Sequence, residues 1–241
     1  MASNDSPQPF PVRDAVALVP GANRGIGRVL VAALLGRGAA KVYGGVRSPR
    51  TIDTPGVIPV PLDITNPGQV AAAADTCADV TLLVNNAGIF RGSPLLANPA
   101  GHDVRDEMET NFFGTLSMTR AFAPVLGRNG GGAIVSVLSV QSFIPYAGWG
   151  SYAASKAAAL ALSNAARDEL AGQRTRVMSV HSAVIDTEMS AALVLPKIPA
   201  ERFVEALLTG LEAGQREVLV DDLTRQTKSV LADYPAKRPP W

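Results

Sequence analysis

Apolar runs of strand length alternate along the chain with longer stretches that are amphipathic at helical spacing or rich in alanine. The short runs fall at Ala15 to Val19, Ala40 to Val46, Val57 to Pro61, Val80 to Asn85, Ala133 to Leu138, Arg176 to His181 and Glu217 to Val220. Most carry no charge, as expected of strands covered on both faces. The longer stretches predict helices over Gly25 to Gly36, Pro67 to Cys77, His102 to Leu126, Ser151 to Gly172 and Ala200 to Ala213. Repeated βα units without a linker predict a single α/β domain: a doubly wound parallel sheet of about seven strands with helices on both faces.

Composition narrows the picture. Of 241 residues, 47% are hydrophobic and 18% charged, enough apolar material for a large core, so disorder is excluded for the bulk. The net charge of +1 and the absence of a strongly basic window argue against a nucleic-acid partner. A lone cysteine, Cys77, with only His102 and His181 beside it, gives neither a disulfide nor a zinc spacing, and fits a reducing, cytoplasmic compartment with no metal. Residues 1–13 hold three prolines and no apolar stretch and are expected to form a flexible arm; the domain follows over 14–233, and 234–241 reads as a non-helical tail. The long uncharged stretch from Asn129 to Ser155 is broken too often by glycine, serine and proline to span a membrane.

The first chemical signal follows the first strand. Gly21-Ala22-Asn23-Arg24-Gly25-Ile26-Gly27 opens straight into an apolar helix. A strand, a glycine turn and a helix N-terminus form a phosphate cradle, because glycines admit close backbone approach and free amides with the helix dipole favour an anion. The fold is then of the Rossmann type. No acid lies between Asp14 and Asp53 to read a ribose diol, whereas Arg47 at the second strand tip, with Arg24, can clamp a 2′-phosphate. That favours NADP(H), the alternative being two solvated arginines. Asp63, next to Ile64, is placed either to accept from an adenine amino group or to cap the following helix.

The second signal is Tyr152 and Lys156, one helical turn apart on one face. A phenol with an ordinary pKa of about 10 shuttles protons poorly at neutral pH, and a neighbouring ammonium favours the phenolate. Tyr152 is thus the candidate general acid for carbonyl reduction and base for alcohol oxidation, and Lys156 also reaches the nicotinamide ribose. Ser139, at a strand end, can donate to the substrate oxygen as charge builds there. His181 reads as a buried or edge histidine rather than a catalyst.

Together these residues resemble the short-chain dehydrogenase/reductase family from about Val16 to Asp221. The resemblance rests on the glycine turn, Asn85-Asn86-Ala87-Gly88, Asn111, Ser139 and Tyr152-Ala153-Ala154-Ser155-Lys156. It implies that Asn86, Ala87 and Gly88 approach the adenosine ribose, that Ile185 and Thr187 bond the carboxamide, and that Asn111 kinks its helix and holds a water linking Lys156 to solvent. It also implies a small-molecule carbonyl or alcohol substrate and a homodimer or homotetramer built on the helices before Leu126 and from Ser151. Two departures stand out: Pro20 where the family has threonine, and Ser182-Ala183 where it has Pro-Gly. They leave open an atypical member catalysing dehydration, cyclisation, or imine or alkene reduction, and a non-catalytic NADP-binding protein. The expected substrate wall is Ile89, Phe90, Gln141, Phe143, Ile144, Trp149, Val184, Met189 and Leu193, apolar enough for a neutral ketone or aldehyde, with no lysine or arginine placed for an anion.

Overall fold

The structure, a computed structural model, describes residues 9–96 and 101–233. Seven strands, β1 (Val16–Pro20), β2 (Lys41–Val46), β3 (Val57–Pro61), β4 (Leu82–Asn85), β5 (Gly132–Val137), β6 (Thr175–His181) and β7 (Glu217–Leu219), form one sheet in the order β3-β2-β1-β4-β5-β6-β7. Every pairing is parallel. Strand order reverses between β1 and β4, and connections leaving to opposite faces there open a crevice at the carboxyl edge of the sheet.

Helices α1 (Gly25–Gly36), α2 (Pro67–Thr76), α3 (His102–Glu107), α4 (Thr115–Arg128), α5 (Gly150–Glu169), α6 (Ala200–Glu212) and α7 (Asp222–Ser229) cover the two faces. Period-2 alternation explains why the strands are apolar throughout. In β1, Ala17 and Val19 join the core beneath α1 and α6, built on Leu30, Leu34, Phe203 and Leu207. Leu18 points the other way, into the core beneath α2 and α4 with Val70, Met118, Phe122 and Leu126. Both layers exclude water, so a charge on β4 or on β1 beyond Val16 would be stranded.

Several expectations change. Phe10 and Val12, at the end of the expected arm, are buried in the first core, and the Phe10 amide donates to the Leu211 carbonyl at 3.2 Å. Two apolar side chains make that stretch part of the domain; residues 1–8 and 234–241 lie outside the described residues. The helix expected over His102 to Leu126 is interrupted by a π-helical segment, Met108–Gly114, between α3 and α4. α7 was not expected: it is short and polar, and Asp221 starts it by accepting from the Thr224 amide (2.9 Å) and hydroxyl (2.8 Å). Among the described residues no helix is long and apolar enough to cross a membrane, and no three ligating side chains are grouped to hold a metal.

Candidate active site

Two adjoining cavities occupy the crevice. The first, of about 470 Å³, runs along the carboxyl ends of β1, β2 and β4; the second, of about 510 Å³, lies beyond β5 and β6. Ile26, Asn86, Gly88, Ile89, Thr187 and Met189 line both, so they are halves of one groove.

The first half is made largely of backbone. Gly27, in the first turn of α1, lies so close to the preceding strand end that a Cβ there would stand 2.0 Å from the Gly21 carbonyl oxygen. Only glycine allows that approach. Asn86 fastens the turn by donating to the carbonyls of Pro20 (2.9 Å) and Gly21 (3.3 Å), which supplies the anchoring that Pro20 cannot. Arg24, the residue before α1, makes no side-chain cap, and no acid sits in the first helical turn. The leading amides and the helix dipole are therefore available to an anion. Gly21, Asn23, Arg24, Gly25, Ile26, Gly27, Arg47, Asp63, Ile64, Asn86, Ala87, Gly88 and Thr187 all line this half. Arg24 and Arg47 are exposed and form no salt bridge among the described residues. Asp63 accepts from the Thr65 hydroxyl (2.7 Å) and amide (3.0 Å), which hold its carboxyl below the usual carboxylate range, with Arg47 adding to the effect. It does not cap α2; Asn66 does, accepting from the Gln69 amide at 3.1 Å. The half-groove thus offers a phosphate cradle, two exposed guanidinium groups and one ionised acid, and it fits a phosphorylated dinucleotide.

The second half is made of side chains. Ser139, Tyr152, Lys156 and Ile185 line it, with Phe90, Trp149, Val184 and Leu193 among its apolar walls. The Phe90 ring meets Trp149 and Tyr152 edge-on, each at 5.0 Å between centroids. Lys156 Nζ donates to the Val137 carbonyl at 3.0 Å and lies 5.7 Å from the Tyr152 ring centre. Burial pushes the Tyr152 phenol above its ordinary value; Glu107 adds to this and the Ser139 hydroxyl opposes it. Burial lowers the Lys156 ammonium to about 8, against an upward pull from Glu107. The pair therefore titrates within reach of neutrality on the lysine side only, until other charges arrive.

Asn111 lies outside both cavities. It sits in the π-helical segment, accepts from the Ile89 amide (2.8 Å), and donates to the Ile89 carbonyl (2.9 Å) and to Ser155 Oγ (3.0 Å). It ties the loop after β4 to α5, and Gly88 leaves room for it, since a Cβ there would stand 3.0 Å from Asn111 Oδ1 and 3.7 Å from Lys156 Nζ.

Three expectations about the substrate wall are corrected. Ile144 is buried in the core, and Phe143 turns under the chain to stack on His181 at 4.3 Å, because the 3-10 turn Val140–Ser142 carries both away from the groove. Lys197 does line the second half, though it pairs with Asp186 at 3.8 Å. His181 is fully buried behind Ser139, as the sequence suggests. Its Nδ1 lies 2.9 Å from Ser142 Oγ and 3.2 Å from the Ser139 carbonyl oxygen. Burial holds its pKa down at about 4 although Glu217 lies 3.8 Å from Nε2, since Lys228 already pairs with that carboxylate. At the Ser182-Ala183 departure, the Ala183 amide donates to Asp221 (2.9 Å) and Ser182 accepts from the Val140 amide (2.9 Å), so the chain path beside the groove is fixed.

A short chain dehydrogenase family model matches residues 15–197. The chain belongs to the short-chain dehydrogenase family. It is accordingly an oxidoreductase dependent on a nicotinamide dinucleotide. This short-chain dehydrogenase is 46% identical to one from Burkholderia cenocepacia crystallised with NADP, at a TM-score of 0.90 over 94% of this chain and 96% of that one. It is 31% identical to the 3-oxoacyl-(acyl-carrier-protein) reductase of Salmonella typhimurium, over 78% of this chain and 83% of the relative. It is 29% identical to an NADP-dependent 3-hydroxy acid dehydrogenase of Schizosaccharomyces pombe, over 73% and 70%.

Proposed function

We propose that this dehydrogenase interconverts a neutral, apolar ketone or aldehyde and its alcohol with NADP(H), Tyr152 serving as general acid and base. The observation that carries the reading is that Ser139, Tyr152 and Lys156 face the same groove as the glycine turn. Arg24 and Arg47 hold the 2′-phosphate, the amides at the start of α1 hold the pyrophosphate, Asp63 and Ile64 meet the adenine, and Ile185 and Thr187 meet the carboxamide. Bound NADPH supplies the hydride. Ser139 donates to the carbonyl oxygen, where charge accumulates, and Tyr152 delivers a proton to the same oxygen. Lys156 holds the ribose and its ammonium makes loss of the tyrosine proton easier; Asn111 keeps the loop and α5 in register. Oxidation runs the same steps in reverse from the phenolate.

The apolar walls select for a substrate without charge, because Lys197 at the groove is already paired with Asp186 and Lys156 is held to the Val137 carbonyl beside Tyr152. A homodimer or homotetramer in the cytoplasm completes the reading. The test is NADPH consumption across a panel of ketones and aldehydes by wild type and Tyr152→Phe. Turnover by the wild type that the substitution abolishes supports the proposal; turnover surviving in Tyr152→Phe, or none with any carbonyl, overturns it.

A further inference from the structure

One ionisable group at the site has no role in the steps above. Glu107, the last residue of α3, is 0% exposed. Its Oε1 accepts from the amides of Arg91 (2.6 Å) and Gly92 (3.2 Å), while Oε2 is buried with no hydrogen-bond partner. A buried carboxylate with a free oxygen and, among the described residues, no cation paired to it is costly, and such a group persists where its charge is used.

Its surroundings say where. The loop that it grips carries Phe90, whose ring stands against Tyr152, and the same loop is pinned by Asn111 at Ile89 and by Ser151 Oγ at the Ser93 amide (3.1 Å). Glu107 and Asn111 are one turn apart, and Asn111 touches Ser155 beside Lys156. Of the charged groups on its own helical segment, His102, Arg105, Asp106 and Glu109 are exposed and Asp103 is half-buried. Arg91, on the loop, spends its guanidinium on Asp106 at 3.5 Å. From α5, the groups that face it are Tyr152 and Lys156, and the field of Glu107 reaches both.

We propose that Glu107 is a positioning residue: a buried counter-charge that keeps Tyr152 a phenol and Lys156 an ammonium, and so sets the pH at which the enzyme changes from carbonyl reduction to alcohol oxidation. One oxygen holds the loop, and the other is left buried without a hydrogen-bond partner, so the charge is little screened from the pair. A carboxylate opposes a second negative charge on the phenol and favours the positive charge on the amine. Reduction needs the phenol and oxidation the phenolate, so the charge carries reduction to higher pH and delays oxidation.

The inference rests on Tyr152 acting as the acid and base. In Glu107→Gln the amide oxygen still accepts from Arg91 and Gly92, so the loop keeps its clamp and only the charge goes. The rising limb of kcat/KM for alcohol oxidation against pH should move down by about one pH unit, with KM for the substrate little changed. Glu107→Met, which removes charge and acceptor together, should move the limb the same way while also raising KM through a loosened Phe90. A limb that coincides with wild type in either folded variant overturns the proposal. Ultraviolet titration of the phenol without cofactor should place its ionisation lower in Glu107→Gln than in wild type; equal midpoints overturn the proposal too. If Tyr152→Phe retains turnover, the functional reading fails first; if Tyr152→Phe is inactive and the limbs coincide, Glu107 alone fails.

Discussion

The two halves of the groove are built from different materials. The half under β1 and β2 is formed by amides, carbonyls and missing side chains, with Gly27 pressed against Gly21 and Asn86 stitching the turn to β4. The half beyond β5 and β6 is formed by rings, hydroxyls and an ammonium, each held by a residue behind it: Tyr152 by Phe90, Ser139 by His181 through its carbonyl, Lys156 by the Val137 carbonyl. A backbone site tolerates change in every side chain that does not enter it. A side-chain site is sensitive to residues that never touch a ligand.

Four substitutions would sharpen or break that contrast. Tyr152→Phe should lower kcat by about a thousandfold, in the range expected for losing a general acid, while NADPH affinity from fluorescence titration stays near wild type because the backbone half is untouched. Behind Ser139, His181 has its folded pKa lowered to about 4 from 6.5, so the unfolded chain binds the proton first. Stability should fall as pH drops from about 6.5 to about 4 and level off below, by about 3 kcal/mol. Urea midpoints measured across that window should show the loss in wild type and much less of it in His181→Asn; equal losses would remove His181 as the cause. Gly27→Ala should cost about 2 kcal/mol through overpacking, seen as NADPH binding weakened by tens-fold with the melting temperature reduced. An unchanged affinity would contradict the backbone construction of the first half. The smallest effect is Arg47→Asp, which should shift the NADPH-to-NADH preference by about tenfold toward NADH, as expected for one charge-assisted contact; an unmoved ratio would show that Arg24 alone reads the 2′-phosphate.

The same contrast explains what could be read from the chain. Glycine spacing reports backbone geometry directly, so Gly21, Gly25 and Gly27 fall at the turn expected of them, and the short apolar runs put all seven strands in the sheet. Side-chain neighbourhoods depend on contacts distant in sequence, and there the signal thins. Glu107 looks like one more acid in an amphipathic helix. The π-helical segment accommodates extra residue spacing per turn, so Glu107, Asn111 and Thr115, each four apart, all come to lie inward. Phe143 and Ile144 sit in an uncharged stretch that suits a pocket wall, but a 3-10 turn points them to the interior. Lys197 reaches the groove only because its segment folds back along the chain after β6. Asp221 carried a readable sign, an Asp three residues before a Thr, and the brevity of α7 hid it.

That fold-back has a consequence of its own. The Asp186 amide donates to the Ile198 carbonyl at 2.8 Å and the Ile198 amide to the Val184 carbonyl at 2.9 Å, so the segment between is cinched at its neck like a drawstring bag. Its tip is free, with Val194 98% exposed. Swapping the residues at that tip, beyond Thr187, leaves the knot, and the chemistry below it, where they were, and this gives the fold a cheap place to try out new molecules.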